Sequence, residues 1–153
     1  MLTRLELRIP PVALVFLFAA LMWVVSIYST FTFALPWRSA LAALVGIAGS
    51  AIMLSGVLSF RRAKTTVNPL TPEAATTMVT SGIYRFTRNP MYLGFLLVLT
   101  GWAIYLSNLP AFALLPLFVW YLNRFQIVPE ERVLGVKFPQ TFTAYTTSVR
   151  RWI

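Results

Sequence analysis

Long apolar stretches alternate with short polar segments along this chain. Four stretches cover residues 12–34, 40–60, 91–106 and 111–128. About 20 apolar residues in a helix cross the ~30 Å hydrocarbon layer of a bilayer, and each stretch is near that length, the third a little short. The pattern predicts an all-α integral membrane protein with four transmembrane helices, folded as a single membrane domain over residues 1–153.

The connections between these stretches differ in length. The long connection, residues 61–89, contains a threonine, a proline and an acid at positions 71–73, which are the features of a helix start. We expect a short helix from there to about Thr80, ended by Gly82. Only residues 107–110 separate the third and fourth stretches, which predicts that these two spans form a tight antiparallel hairpin.

Two features concern helix shape and packing. Pro116 lies inside the fourth stretch, where it removes one helical hydrogen bond and predicts a kink or a local loosening. Gly46, Gly49 and Ser50 in the second stretch permit close helix contact, within one chain or between two. The oligomeric state therefore stays open.

The C-terminal segment has a helical stripe of apolar residues. Its spacing of 4, 3, 4 and 3 residues joins Phe138, Phe142, Tyr145, Val149 and Trp152. Basic residues flank the stripe, so we expect an amphipathic interfacial helix over about residues 137–152. A surface anchor with no other role would show the same pattern.

The basic residues are distributed unequally between the predicted sides of the membrane. Arg38 alone falls on one side. The other side holds Arg4, Arg8, Arg61, Arg62, Lys64, Arg85, Arg88, Arg124, Arg132, Lys137, Arg150 and Arg151. Since basic residues stay on the cytoplasmic side, both termini are predicted to be cytoplasmic, in a bacterial inner membrane. The net charge of +9 is then explained by anionic membrane lipids as partners, with no need for nucleic acid.

Composition restricts the possible chemistry. The chain is 58% hydrophobic and 11% charged, and it has no cysteine, histidine or aspartate. Its acids are Glu6, Glu73, Glu130 and Glu131. A serine-histidine-aspartate triad and a thiolate site are excluded, and no metal site is expected from carboxylates alone.

The densest polar cluster, "SGIYRFTRNPMYLG", directly precedes the third apolar stretch. Within it, Asn89 stands at the N-cap position and Pro90 at the first helical position, so the span begins with free N–H groups that favour anions. Arg85 and Arg88 add charged donors. Helix capping with arginines reaching the head groups would explain the same residues.

The predicted hairpin brings acids to this cluster. At ~1.5 Å per residue, the third span rises about 26 Å and the fourth returns about 28 Å, so Glu130 and Glu131 lie at the depth of Arg88 and Asn89. One interpretation is a salt bridge that fastens the hairpin. The other is a site for a zwitterion, with an arginine on its carboxylate, glutamates on its ammonium group, and a further cation against an aromatic ring such as that of Tyr84.

Two motifs give a resemblance to a known family. They comprise Thr80, Ser81, Gly82, Tyr84, Arg88, Asn89, Pro90, Tyr92, Gly94 and then Glu130, Glu131, Leu134, Phe138, Phe142 and Tyr145. In this order and spacing, residues 78–152 resemble the C-terminal half of the isoprenylcysteine carboxyl methyltransferase and phospholipid methyltransferase superfamily. The resemblance implies an integral membrane methyltransferase that uses S-adenosylmethionine.

The resemblance also implies roles for individual residues. Arg88, Asn89 and the helix start would contact the methionine carboxylate, the glutamate pair its amino group or the ribose, and aromatic residues the adenosine. The implied cofactor-binding set is Tyr84, Arg88, Asn89, Pro90, Met91, Tyr92, Gly94, Glu130, Glu131, Leu134 and Tyr145. The implied catalytic residues are Arg88, Glu131 and Arg151.

The chain departs from the family pattern at two positions. Many members have histidine where this chain has Asn89, and some have glycine where it has Pro139. Asparagine cannot titrate, so an imidazole base is impossible here and the position is interpreted as a binding group.

The methyl acceptor is expected to be a lipophilic small molecule or lipid. Carboxyl, amine and thiol acceptors all stay open, and an amine would need Glu130, Glu131 or a tyrosine to take its proton. Arg85 or Arg151 could orient an anionic acceptor. Sideways entry from the bilayer is expected between the second and third spans.

Two other function classes compete with an enzyme. A small four-span transporter of lipophilic cations would need an acid inside a span, and no predicted span contains one. A non-catalytic assembly subunit is favoured if the polar cluster only caps a helix and contacts head groups.

Overall fold

The computed structural model describes residues 6–65 and 70–153, which form an all-helical structure. Arg4, counted above on the cytoplasmic side, lies outside the described residues. The helices are α1 (Pro11–Tyr28), α2 (Arg38–Arg62), α3 (Pro90–Leu106), α4 (Leu109–Leu122), α5 (Val128–Lys137) and α6 (Pro139–Ser148). A π-helical turn, Asn123–Ile127, joins α4 to α5, and 3-10 turns cover Pro72–Ala74 and Gly82–Arg85.

Several of these helices have the length and composition of membrane spans. Among the described residues, α1, α2 and the continuous helix Leu109–Lys137 are long and apolar enough to cross a bilayer. The apolar helix α3 is shorter, with 17 residues. The predicted apolar stretches thus form helices, as expected of an integral membrane protein.

Helices α2 and α3 pack with their backbones in contact. A Cβ atom built on Gly94 would lie 2.6 Å from the carbonyl oxygen of Gly49, and one on Gly101 would lie 2.8 Å from that of Ala42. Near the α3 start, Gly56 approaches Pro90 and Met91 in the same way. Because this contact extends along both helices, the expected sideways entry between the second and third spans is wrong.

A core of large apolar side chains joins α1 to α3 and α4. Phe18 of α1 meets Phe118 of α4 edge to face, with ring centroids 5.2 Å apart, and both are buried. The indole N–H of Trp102 in α3 donates to the carbonyl of Ala19 at 3.0 Å. Helix α1 therefore covers one side of α3 while α2 covers another.

The connection after α2 differs from the prediction. Where a helix to about Thr80 was expected, only the 3-10 turn Pro72–Ala74 forms. The amide of Thr76 donates to the hydroxyl of Thr65 at 3.0 Å, in place of a helical carbonyl. Pro72 and Ala75 are buried, so tertiary contacts hold this segment, residues 70–79, which we call the strap.

The C-terminal helix is shorter than predicted. It ends at Ser148, and residues 149–153, the C-terminal tail, continue without helical structure. The amide of Arg88 donates to the carbonyl of Arg150 at 3.0 Å, so the tail runs beside the segment that precedes α3. Trp152 therefore belongs to the tail and not to the helical stripe.

The continuous helix Leu109–Lys137, which comprises α4, the π-helical turn and α5, changes its hydrogen-bonding pattern near its middle. Helix α4 continues through Pro116, and the π-helical turn begins two turns later at Asn123. A π-helical turn inserts one extra residue and changes which backbone groups are paired. The amide of Leu7 donates to the carbonyl of Phe125 in this turn at 3.0 Å.

Further contacts fix the N-terminal segment on the same turn. Gln126 donates its side-chain amide to the carbonyl of Ile9 at 2.7 Å. The carboxylate of Glu6 lies 2.6 Å from Arg124 and 3.4 Å from Arg132. Residues 6–9 thus hold the helix just before it reaches Glu130.

Acidification should release this N-terminal contact. The hydrogen bond from Arg124 lowers the pKa of Glu6 below its ordinary value, so the ion pair stabilises the fold at neutral pH and is lost as pH falls through that lowered pKa. We expect the midpoint of thermal unfolding in detergent to fall between about pH 6 and about pH 3, and to fall less in Glu6→Gln. Glu73→Gln, at an exposed carboxylate, is the control and should follow the parent protein. Parallel curves for the parent and Glu6→Gln would contradict the prediction.

Candidate functional site

A cavity opens where the start of α3 meets α5, α6 and the strap. The enclosed part of this cavity has a volume of about 80 Å³. When all the space up to the surrounding atoms and the open mouth are included, the volume is about 830 Å³. Its walls are Phe60, Pro72, Ala75, Thr77, Met78, Val79, Tyr84, Arg88, Asn89, Met91, Tyr92, Ile127, Glu130, Glu131, Leu134, Phe142 and Tyr145.

Asn89 connects the α3 start to the C-terminal tail. Its side-chain amide donates to the carbonyl of Arg151 at 3.0 Å, and Thr87 donates its hydroxyl to the same carbonyl at 3.3 Å. Asn89 is the N-cap residue of α3 and Pro90 the first helical residue, as predicted, and the Asn89 side chain makes no capping hydrogen bond of its own. The hydroxyl of Thr87 also accepts a hydrogen bond from the backbone N–H of Asn89 at 3.2 Å.

Arg88 is held from three sides and keeps one donor unused. Its guanidinium lies 2.9 Å from Glu131 and donates to the carbonyls of Val149 at 2.8 Å and Thr146 at 3.3 Å. The Nε atom of Arg88 is buried and has no hydrogen-bond partner among the residues that the structure describes. A buried donor left in this way is costly unless a further group accepts from it.

Glu131 is shared by two arginines. Its Oε1 accepts from Arg88 at 2.9 Å and from Arg151 at 3.1 Å, and its Oε2 accepts from Arg151 at 2.6 Å. The salt bridge that the sequence suggested is therefore formed by Glu131, whose charge is already matched by two arginines. Glu131 thereby fixes the guanidinium of Arg88 in place.

Glu130 has a different environment, although it is the neighbouring residue. Its Oε2 accepts from the hydroxyl of Tyr92 at 3.2 Å, and it forms no salt bridge with any residue in the described part of the chain. Both Glu130 and Tyr92 line the cavity. Within residues 6–65 and 70–153, Glu130 therefore presents a carboxylate whose charge no arginine or lysine matches.

Two tyrosines form the wall opposite α5. The hydroxyl of Tyr145 donates to the carbonyl of Tyr84 at 2.6 Å, and Tyr84 meets Phe60 edge to face with centroids 5.4 Å apart. Burial raises the pKa of Tyr145 to about 12, and burial together with the charge of Glu130 raises the pKa of Tyr84 further. Both hydroxyls keep their protons at neutral pH, so neither serves as a base.

The structure places most of the residues named from the sequence in this one cavity. Those on its walls are Tyr84, Arg88, Asn89, Met91, Tyr92, Glu130, Glu131, Leu134 and Tyr145. Three of the named residues, Pro90, Gly94 and Arg151, lie off these walls. Pro90 and Gly94 pack against Gly56 and Gly49 of α2, and Arg151 holds Glu131 from outside.

Sequence reasoning missed the strap and part of α2. Five strap residues, Pro72, Ala75, Thr77, Met78 and Val79, cover one side of the cavity, and Phe60 reaches it from α2. No motif marks these positions. The unusual length of the connection after α2 was the signal that this segment does more than join two helices.

The arrangement suits a small ligand that carries both charges. Arg88 and Arg151 contribute two positive charges and Glu130 and Glu131 two negative ones, so the cluster is balanced as a whole. Its free groups have opposite sign, because Arg88 Nε can donate to a carboxylate and Glu130 can accept from an ammonium group. In residues 6–65 and 70–153 no group of three or more acids lies close enough together to hold a metal ion.

Comparisons with known proteins cover most of the chain. A model of the phospholipid methyltransferase family matches residues 37–141. The chain is 40% identical over 63 residues to an uncharacterized protein of Haemophilus influenzae, an alignment that covers 41% of this chain and 100% of that protein. It is 28% identical over 113 residues to protein-S-isoprenylcysteine O-methyltransferase A of Arabidopsis thaliana, covering 74% of this chain and 57% of that protein. No solved structure matches the chain.

Proposed function

The chain belongs to the phospholipid methyltransferase family, and on that premise we propose that it transfers a methyl group from S-adenosylmethionine to a lipophilic acceptor held in the membrane. The observation that carries this proposal is the unused buried donor of Arg88 on the same cavity wall as the unpaired carboxylate of Glu130. An amino-acid end group would satisfy both.

The proposed topology places this cavity at the cytoplasmic interface. The four apolar helices are taken as four spans, of which α3 and α4 form a hairpin with only residues 107–108 between them. Both termini are cytoplasmic under the charge rule, in a bacterial inner membrane. The cofactor then enters from water and the acceptor from the bilayer.

Each residue of the cavity has a proposed task. Arg88 binds the carboxylate through Nε, Glu130 binds the ammonium group, and Tyr84, Tyr92 and Tyr145 enclose the remainder. Glu131 and Arg151 position Arg88, and Asn89 holds the tail across the α3 start. S-adenosylmethionine supplies an activated methyl group when bound, so the protein's main contribution is to align donor and acceptor.

The strap is the part that must move when the cofactor binds. Ligand pockets usually have volumes of about 300–1,000 Å³. The enclosed part of this cavity, about 80 Å³, is smaller than that range, whereas the volume that includes the mouth, about 830 Å³, falls within it. The strap has 3-10 and irregular structure, and Lys137 on α5 donates to the carbonyl of Glu73 within it. Outward displacement of the strap would release its buried residues Pro72 and Ala75 and the bond to Lys137, and its return would exclude water again.

The acceptor class decides whether the cavity must supply a base. A carboxylate or thiolate acceptor needs no base, whereas an amine has to be deprotonated before it reacts. Glu130 is the acid in the cavity whose charge is not already paired, so it would take that proton. Carboxyl, amine and thiol acceptors therefore stay within the proposal.

Methyl transfer to lipid tests the proposal. Purified protein is incubated with methyl-labelled S-adenosylmethionine and a bacterial polar lipid extract, and label in the organic phase is measured. We expect transfer by the parent and a loss of about tenfold or more in Glu130→Gln, whose fold is retained because a glutamine still accepts from Tyr92.

Glu131→Gln is the matched comparison one residue further along the chain. This change removes the negative charge that Arg88 and Arg151 share and replaces one acceptor oxygen by an NH2 donor, so we expect a lower unfolding midpoint as well as lost transfer. Equal transfer by the parent and Glu130→Gln, or no transfer to any lipid by the parent, would contradict the proposed function.

A further inference from the structure

The C-terminal tail supplies backbone acceptors to the segment that precedes α3. The backbone N–H of Arg88 donates to the carbonyl of Arg150 at 3.0 Å, and the Arg88 guanidinium donates to the carbonyl of Val149 at 2.8 Å. The carbonyl of Arg151 accepts from the side-chain amide of Asn89 at 3.0 Å. Three consecutive carbonyls of the tail thus orient two residues of the cavity wall, Arg88 and Asn89.

The same tail contacts the acid that faces Arg88. The side chain of Arg151 donates to both carboxylate oxygens of Glu131, at 3.1 Å and 2.6 Å, and Glu131 also accepts from Arg88 at 2.9 Å. Arg151 therefore contacts the α3 start through its carbonyl and α5 through its guanidinium. A shift of the tail along its own direction would change the contacts of Arg88 both directly and through Glu131.

Trp152 attaches this tail to the helical core. Its indole N–H donates to the side-chain oxygen of Asn123 at 3.2 Å. Its ring is partly buried and packs against the apolar core cluster that contains Tyr92, Leu122 and Ile127. Because the bond is directional and the ring is enclosed, Trp152 fixes where the tail lies along the α3 start.

These contacts form a closed ring around the cavity. Asn123 begins the π-helical turn, which leads through α5 to Glu131. Glu131 binds Arg88, Arg88 binds the tail, and Trp152 of the tail returns to Asn123. The π-helical turn sets how α5 is rotated about its axis. The Trp152 bond therefore joins the element that places the glutamates to the element that orients Arg88.

We infer that Trp152 is a positioning residue for the cofactor site, acting through the tail on Arg88. The inference rests on the proposed binding of S-adenosylmethionine and adds a residue that lies off the cavity walls. Arg88 holds the cofactor carboxylate equally before and during methyl transfer, so a misplaced Arg88 weakens binding without slowing the chemical step. Trp152→Phe should raise KM for S-adenosylmethionine about fivefold or more and leave kcat near the parent value.

Loss of one indole N–H at two places separates positioning from stability. Trp152→Phe removes the bond to Asn123, and Trp102→Phe removes the bond to the carbonyl of Ala19 in the core between α1 and α3. Each change deletes one hydrogen bond and keeps an aromatic ring, so we expect small and similar decreases in the unfolding midpoint. The affinity for S-adenosylhomocysteine should fall about fivefold or more in Trp152→Phe and stay within about twofold of the parent in Trp102→Phe. Equal affinities of the two variants would overturn the inference.

Substitutions of the partner residue show whether the bond itself matters. Asn123→Asp keeps an oxygen acceptor for the indole N–H and should retain the parent affinity within about twofold, whereas Asn123→Leu should resemble Trp152→Phe. The double variant of Trp152→Phe and Asn123→Leu should lose no more than either single variant, because both changes remove the same bond. Losses that add in the double variant would contradict a shared role.

Hydrogen exchange follows the tail without any cofactor. The backbone N–H of Arg88 is bonded across to Arg150 of the tail, and that of Leu93 is bonded to Asn89 within the first turn of α3. In Trp152→Phe the Arg88 amide should exchange about tenfold faster than in the parent, with the Leu93 amide unchanged. Unchanged exchange at Arg88 would overturn the inference, whether or not the cofactor binds. Faster exchange at Arg88 in a protein whose parent form binds no S-adenosylhomocysteine would contradict the proposed function alone.

Discussion

Arg88→Ala should lose S-adenosylhomocysteine binding, with affinity reduced about a hundredfold or more. The change removes the buried Nε donor, which no group in the described part of the chain satisfies, together with the ion pair to Glu131 and the bonds to the carbonyls of Val149 and Thr146. Glu131 keeps Arg151 as a partner, so the carboxylate is not left unpaired. The loss of binding should therefore exceed the loss of stability.

Two other substitutions locate the effect. Arg85→Ala removes an exposed arginine three residues earlier and should leave the affinity unchanged. Arg88→Lys keeps the charge but lacks the fork of donors, so an intermediate affinity is expected. The affinities are compared by isothermal titration in detergent, with unfolding midpoints measured in parallel. An Arg88→Ala affinity within about twofold of the parent would show that Nε does not meet the ligand.

Gly94→Ala should destabilise the protein strongly although it adds one methyl group. The new Cβ would lie 2.6 Å from the carbonyl oxygen of Gly49 and 3.0 Å from the amide nitrogen of Met53, and backbone atoms cannot move aside as a flexible side chain would. Overpacking of this kind costs about 1–3 kcal/mol, and the displaced α3 also carries Arg88 and Tyr92 at its start. We expect the unfolding midpoint to fall by about 5 °C or more.

Gly46→Ala is the matched control in the same helix pair. A Cβ atom at Gly46 meets no atom within 4 Å, so this substitution should leave the midpoint unchanged or raise it slightly through better helix propensity. Both variants are measured by thermal unfolding in the same detergent. If Gly94→Ala unfolds at the same temperature as Gly46→Ala, α2 and α3 are not in the close contact described above.

The positions of the long helices could be predicted from the sequence because they depend on the hydrophobicity and length of the apolar stretches. Residues 91–106 were predicted as a span, and α3 covers Pro90–Leu106, since Pro90 suits the first helical position and Ser107 takes a left-handed conformation at the end. The rise per residue was also enough to predict that Arg88 and the glutamates approach one another. The guanidinium of Arg88 and the carboxylate of Glu131 lie 2.9 Å apart.

The separate roles of the two glutamates were not accessible in this way. Both stand at the same depth, and which one faces an arginine depends on the rotation of α5 about its axis. The π-helical turn Asn123–Ile127 sets that rotation, and no residue type marks such a turn in the sequence. Both acids were therefore predicted to bind the cofactor, with Glu131 alone named as catalytic, and only the hydrogen bonds to Tyr92 and Arg88 show how their contacts differ.

The path of the strap was mispredicted, and the contact of the Asn89 side chain with the tail was missed, for a related reason. Positions 71–73 have the local features of a helix start, but burial of Pro72 and the hydrogen bond between Thr65 and Thr76 favour an irregular path. Asn89 likewise has the side chain of an N-cap and donates instead to the distant Arg151 carbonyl. Local preferences are worth about 1 kcal/mol, so tertiary contacts of this size override them.

The central claim is that the cavity between α3 and α5 binds the amino-acid end of S-adenosylmethionine, and titration with S-adenosylhomocysteine tests it most directly. The unreactive product binds the same groups without turnover. We expect one site per chain with micromolar affinity in the parent protein, weakened in Glu130→Gln and lost in Arg88→Ala. No binding by folded parent protein, or equal binding by all three, would contradict it.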